Sequence, residues 1–127
     1  MQVGDTSAWE RSFTEEDVRL FAHLSGDQGE HHVTRDSQGR LMVHGLLTAT
    51  LPTKLGGDLN YIAGSMNFEF LRPVYVDDTL RCEAVIMRIE QVTGRMQMEI
   101  NFTCRNQQGK EVLRGSTSGI VRMPANS

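Results

Sequence analysis

Between positions 41 and 57 the chain carries a segment that is apolar nearly all round, and from Ile62 onward apolar residues recur at every second position. These two patterns constrain the fold more than any other feature. A helix that is apolar on every side has to be buried, and strands of period two offer one apolar face to bury it against. The pattern predicts a helix over 45–55, kinked at Pro52 because proline lacks the N–H of a helix interior. Ile62, Gly64, Met66, Phe68 and Phe70 then alternate with Ala63, Ser65, Asn67 and Glu69, and Pro73 ends that strand. Leu80, Cys82, Ala84 and Ile86 keep the period before the phase slips to Met87 and Ile89, which predicts a β-bulge near 86–88. Thr93-Gly94 predicts a hairpin turn. Met96, Met98, Ile100, Phe102 and Cys104 form the next apolar face, 106–109 a second turn, and 110–123 a last strand in an antiparallel meander. The arrangement that satisfies both patterns is α+β: a curved antiparallel sheet wrapped around a central buried helix.

An earlier helix begins after Phe13. Thr14 caps it, Glu15, Glu16 and Asp17 suit the positive end of its dipole, and Val18, Phe21, Ala22 and Ser25 share a face with Leu20 and Leu24 beside it. Gly26 stops it. Ahead of it, Trp9 and Phe13 lie in a short candidate strand. Residues 26–40 are polar and form a long loop, the kind of segment that in compact domains tends to carry function.

With 127 residues the chain makes one domain, 1–127, large enough to bury a core without metal or disulfides. The longest run of hydrophobic residues, 84–87, is four long, so no membrane span is expected. Residues 1–10 show neither the basic nor the apolar part of a secretory signal. A formal charge of −3 disfavours a nucleic-acid partner. The two cysteines, Cys82 and Cys104, lie on the apolar phase of their strands and are expected as inert, reduced thiols in a cytoplasmic protein.

The residues able to do chemistry cluster in the polar loop: Asp27, Glu30, His31 and His32, with His44-Gly45 at the mouth of the buried helix. No HxH, HExxH or Cys/His spacing is present, so no metal site is expected. An Asp and a His holding one water supply a base and an acid of different identity. Gly45, at a helix start and without a side chain, offers an unpaired N–H to a developing oxyanion. His44, between Val43 and Gly45, is expected to be a core histidine rather than a catalyst, and His23 a surface or packing residue. Met96 and Met98 are expected in the core, with an acyl-tunnel lining as the alternative. Gly56-Gly57 has no phosphate-loop spacing and reads as a helix stop.

In Gly26-Asp27-Gln28-Gly29-Glu30-His31-His32 the chain resembles the MaoC-like (R)-specific enoyl-CoA hydratases of the hot dog fold, which carry Gly-Asp-x-Asn-Pro-x-His after their first helix. Val43-His44-Gly45-Leu46-Leu47 is similar to the family's Val-His-Gly-Met-Leu, and Phe70-Leu71-Arg72-Pro73-Val74 with Asp78 to its Phe-x-x-Pro-Val-x-x-Gly-Asp. The departures are Gly29-Glu30 for Asn-Pro, Leu46 for Met and Asp77 for Gly. The resemblance covers roughly residues 7–123. It implies a hydro-lyase interconverting trans-2-enoyl-CoA and (R)-3-hydroxyacyl-CoA in fatty-acid chemistry, acting without a cofactor as a homodimer joined edge to edge. It implies Asp27, His32 and Gly45 as catalytic residues, and His31 and Thr53 as substrate-binding ones, Thr53 standing at the spacing of a Ser that assists in some members. Arg35, Arg40, Lys54 and Arg72 are candidate contacts for CoA phosphates, although a solvated-surface role is the better reading of each. The other readings on the same fold are an acyl-CoA thioesterase, disfavoured because 45–57 contain no Asp or Glu, and a non-catalytic acyl-CoA-binding module.

Overall fold

The alternating segments form strands and the all-round apolar segment forms the helix they cover. The computed structural model describes residues 1–123, so the last four positions of the expected 1–127 domain lie outside it. In chain order the elements are β1 (Thr6–Ser12), α1 (Glu15–Ser25), α2 (Glu30–Val33), α3 (Gly45–Thr48), α4 (Thr50–Asp58), β2 (Tyr61–Phe70), β3 (Thr79–Val92), β4 (Arg95–Arg105) and β5 (Glu111–Arg122). The strands form one antiparallel sheet in the order β1-β3-β4-β5-β2.

β3, β4 and β5 are the expected meander. β2 departs from it, pairing with β5 rather than with β3, its successor in sequence. Residues 71–78 carry the chain across, bound to 41–43 by Val43 N–H to Val74 O at 2.8 Å and Val76 N–H to Leu41 O at 2.9 Å. In that crossing Asp77 has φ 74°, a left-handed conformation in which glycine is at ease and an L residue is strained. This is where the resembling family carries Gly.

The expected bulge is present, with the β3–β4 register shifting between Ile86 and Arg88. A second bulge, unforeseen, lies between Ala63 and Ser65 on β2. It inverts the phase on one side: Ile62 is exposed, whereas Tyr61, Ala63 and Met66 line a cavity under the sheet. A period of two assigns faces only while no residue is inserted.

α1 has a full capping box. Asp17 N–H donates to Thr14 Oγ1 at 3.1 Å and Thr14 N–H to Asp17 Oδ2 at 2.9 Å. Its buried stripe is narrower than expected: Val18 and Ala22 are buried, but Leu20 and Leu24 are exposed. The central helix is split rather than merely kinked. α3 ends at Thr48, Ala49 intervenes, and α4 restarts at Thr50 with Pro52 in its first turn. Pro52 has no N–H for the Thr48 carbonyl and its ring crowds that carbonyl, so the break falls just upstream of the proline. α4 also runs through Gly56-Gly57 to Asp58 instead of stopping at them.

Leu51 and Leu55 of α4 enter a core with Leu80, Cys82, Met98, Phe102, Cys104 and Leu113. Cys82 and Cys104 face each other across β3 and β4 as buried free thiols. The hydrogen-bonded Cys82 thiol, then burial, push the Cys104 thiol pKa up, so it stays protonated.

Two glycine exchanges should have opposite signs. Asp77→Gly removes left-handed strain and should raise stability by up to about 1 kcal/mol, the αL penalty partly offset by the freer unfolded chain. Gly115→Ala should lower it by about 1–3 kcal/mol, because the new Cβ would run into the Asn67 carbonyl oxygen and lie 2.9 Å from Phe102 Cζ. Urea midpoints check both; a stabilised Gly115→Ala would contradict the β2–β5 pairing.

Candidate active site

The site begins where α1 stops. Gly26 closes that helix in the left-handed conformation, φ 79°, its N–H donating to Ala22 O. The sharp turn delivers Asp27, whose N–H donates to Ser25 Oγ at 3.0 Å and whose Oδ1 accepts the Gly29 N–H at 3.1 Å. This Asx turn does locally what a stiffer sequence could do by restricting the chain. Glu30 then opens α2, a single helical turn inside the expected loop. It occupies a first helical position, where the family's proline would be equally at home.

α2 buries His32 and leaves His31 exposed, the two rings 3.9 Å apart between centroids. His32 Nδ1 lies 2.8 Å from Met42 O. A carbonyl only accepts, so Nδ1 carries a proton, and in the neutral tautomer it is Nε2 that presents its lone pair. Nε2 faces Asp27 Oδ2 at 3.8 Å. That gap is too wide for a direct hydrogen bond, and its width admits one water oxygen or substrate hydroxyl in contact with both. The Gly29 N–H, despite opposing desolvation, holds the Asp27 carboxyl below the usual carboxylate range.

His44 is the N-cap of α3, 1% exposed, with Nε2 2.9 Å from the Asp27 carbonyl oxygen. Its ring stacks on His32 at 3.8 Å and 16°. The core placement expected for it is observed; its contact with both Asp27 and His32 was not foreseen. The one available signal was its place directly before Gly45. Donor atoms of Asp27, His32 and His44 lie within 4.8 Å of one another, a grouping able to hold a metal. A metal sits near the plane of each imidazole that binds it, and two stacked, nearly parallel rings share no such point close by. Proton transfer suits the arrangement better.

Gly45 is the first residue of α3, and no protein acceptor takes its N–H among the described residues. It borders a cavity of about 440 Å³ with His31, His32, Thr48, Phe70 and Arg72. The Thr48 hydroxyl is buried there without a partner. A Cβ on Gly45 would lie 2.7 Å from Phe70 Cε1, so the bare backbone also makes room for that ring. Thr53 lies elsewhere. Its Oγ1 donates to Ala49 O at 2.9 Å, and it borders a second, mostly apolar cavity of about 570 Å³ with Tyr61, Met66, Ile100 and Phe102. The structure therefore brings Asp27, His31, His32 and Gly45 together and sets Thr53 apart. Met98 is in the core, Met96 packs beside it, and neither lines these cavities. Of the candidate phosphate contacts, Arg72 borders the smaller cavity, with Nη1 donating to Glu111 O at 2.6 Å. Arg35, Arg40 and Lys54 pair with Glu15, Asp36 and Asp58.

The Asp27 carboxyl, followed by carbon-13 NMR, should titrate below an ordinary Asp. Because the folded pKa is the lower one, its stabilising contribution is complete above the unfolded pKa and is lost only as pH falls through the folded value. The carboxylate therefore persists across the neutral range. Titration at or above the ordinary value would mean that Gly29 does not hold it.

A family model described as "FAS1-like, dehydratase domain region" matches residues 40–114. None of the curated proteins compared with the chain matches it. Among solved structures, an (R)-hydratase from A. caviae involved in PHA biosynthesis superposes with a TM-score of 0.83 at 24% identity, over 98% of each chain. An R-hydratase from Pseudomonas aeruginosa gives 0.78 at 24%, over 98% of this chain and 88% of that one. A MaoC-like dehydratase from Rhodospirillum rubrum gives 0.79 at 20%, over 98% and 95%. Likeness at these identities establishes the shared fold, while the sequence model reaches from the entrance of α3 to β5. The chain belongs to the FAS1-like dehydratase-region family and folds as a MaoC-like hot dog domain.

Proposed function

We propose that the protein is a hydro-lyase interconverting trans-2-enoyl-CoA and (R)-3-hydroxyacyl-CoA. The observation that carries this reading is the 3.8 Å gap between Asp27 Oδ2 and His32 Nε2, two proton acceptors facing each other. Hydration places a water against both atoms, beside the line that joins them. Its oxygen bonds to C3 as the pair takes one proton, the C2=C3 electrons move toward the thioester, and the pair returns one proton to C2. Dehydration runs the same steps in reverse. The thioester oxygen, gaining enolate charge, is met by the Gly45 N–H, and one such donor is typically worth about 3 kcal/mol of the barrier. His31 stands beside the pair at the rim. The cavity of about 570 Å³ bordered by Thr53 is of a size for an acyl chain.

A homodimer accords with the sheet. β2 is an edge strand with an unpaired side, and Ile62, Met66, Phe70 and Leu71 are exposed on or beside it. An apolar edge of this kind is a liability unless covered, and two-fold pairing of identical edges covers it. No helix of the described residues is long and apolar enough to cross a membrane. Light scattering at micromolar concentration should give a dimer; a strict monomer would count against this edge as an interface.

Crotonyl-CoA should lose its enoyl-thioester absorbance without release of free thiol. Thiol release would indicate a thioesterase, and neither change would leave a binding module. Asp27→Asn and His32→Ala should each collapse turnover with the fold intact, and the double variant should be little worse, because groups acting as one unit are not additive. Gly45→Ala should cost about 10²-fold in turnover. Its better helix propensity, under about 1 kcal/mol, is opposed by the displacement of the half-exposed Phe70 ring, so its melting temperature should barely move. Full activity in Gly45→Ala would remove that N–H from the mechanism.

A further inference from the structure

His44 touches both members of the pair and directly precedes the third reacting group, yet the mechanism above leaves it idle. We propose that His44 is the positioning residue of this site: held neutral as its Nε2–H tautomer, it fixes the Asp27 main chain by hydrogen bond and the His32 ring plane by stacking. This rests on the hydratase reading.

The tautomer follows from its surroundings. The ring nitrogen 2.9 Å from the Asp27 carbonyl must be the donor, because that oxygen can only accept. The other nitrogen, Nδ1, is buried and meets no partner. Protonating it would bury an N–H, and a charge, with nothing to receive either. Nε2–H is therefore the tautomer that leaves no buried donor unpaired, its Nδ1 lone pair buried and without a partner among the described residues. His32 has the opposite tautomer, Nδ1–H toward Met42 O, so the two stacked rings expose different nitrogens.

The positional consequence concerns the 3.8 Å gap. A single hydrogen bond at Nδ1 leaves the His32 ring free to tilt about that bond, and Nε2 would swing with it. A flat ring 3.8 Å beneath it, inclined by only 16°, removes that freedom. On the opposite side of the gap, Asp27 is held at three atoms: its N–H by Ser25, Oδ1 by Gly29 and its carbonyl by His44. Only the third of these reaches outside the local turn, and it ties Asp27 to the start of α3. One side chain thus sets base, acid and oxyanion donor in a common frame, although they come from two separate segments of the chain.

The test has a part that needs no substrate. Long-range proton–nitrogen-15 NMR of the imidazoles at neutral pH should show His44 as Nε2–H and His32 as Nδ1–H. His44 found protonated, or as Nδ1–H, overturns the proposal whatever the activity. His44→Phe keeps a flat ring and deletes the donor; His44→Gln places an amide N–H where Nε2 stands and gives up the ring. With crotonyl-CoA, His44→Phe should lower kcat by about 10²-fold, as misplacement near 1 Å does, with KM within about twofold. His44→Gln should recover about fivefold of that, the worth of one hydrogen bond. Unchanged kcat in His44→Phe, or a loss shared equally between kcat and KM without recovery in His44→Gln, overturns the proposal. If the wild type does not hydrate crotonyl-CoA, the hydratase reading fails separately. Positioning is then judged by whether the Asp27 carboxyl and His32 imidazole resonances move in both variants, and unmoved resonances overturn it. If His44→Phe does not fold, the tautomers and His44→Gln decide.

Discussion

Leu51 and Leu55 descend from α4 into a pocket walled by Leu80, Cys82, Met98, Phe102 and Leu113, and the rest of the molecule is arranged around keeping them there. Burying a side chain of this size contributes about 1.5–3 kcal/mol, and truncating one to Ala leaves a cavity costing about 2–5 kcal/mol. A flat sheet of five strands cannot cover a helix on its own. The bulges at Ile86–Arg88 and Ala63–Ser65 bend the strands locally and increase their twist, and they leave room for a helix on one face.

The same helix supplies the site, because it is interrupted. Pro52 forbids a continuous helix through Thr48, and the chain answers with a short α3 and a separate α4. α4 carries the burial. α3 adds Leu47 to the core but exposes Leu46, and its first residue, Gly45, borders a cavity. An N–H left unpaired at a helix start is ordinary. What distinguishes Gly45 is that a buried histidine immediately before it reaches back to the loop that carries Asp27.

That loop departs from the resembling family at Gly29-Glu30, yet it is held. The Gly29 N–H binds the Asp27 carboxylate, Ser25 binds its N–H, His44 its carbonyl, and Met42 the ring of His32. Several individually modest bonds, each typically worth about 1 kcal/mol net, take over what a restricted backbone would otherwise provide. The Gly29 bond also keeps Asp27 ionised, so the substitution leaves the carboxylate available as a proton acceptor.

The residues alone disclosed whatever depends on neighbours in sequence. Thr14 and Asp17 announce their cap, the phase slip at Met87 announces its bulge, and the alternation after Leu80 announces the meander. The five-residue spacing from Asp27 to His32, with His44-Gly45 following, pointed to the proposed pair and the proposed oxyanion donor through their likeness to a family. Hydrophobic period reports which face a residue takes and is silent about which strand lies beside it. The pairing of β2 with β5, the inverted phase at Ile62 and the left-handed Asp77 therefore belong to tertiary structure. So does the separation of Thr53 from the histidines, since α4 places it at the other cavity. His44 is the clearest case. From its neighbours it is a core histidine, and it is buried as one; only the fold brings the Asp27 carbonyl against its edge and the His32 ring against its face, because both contacts arise from the loop meeting the start of α3.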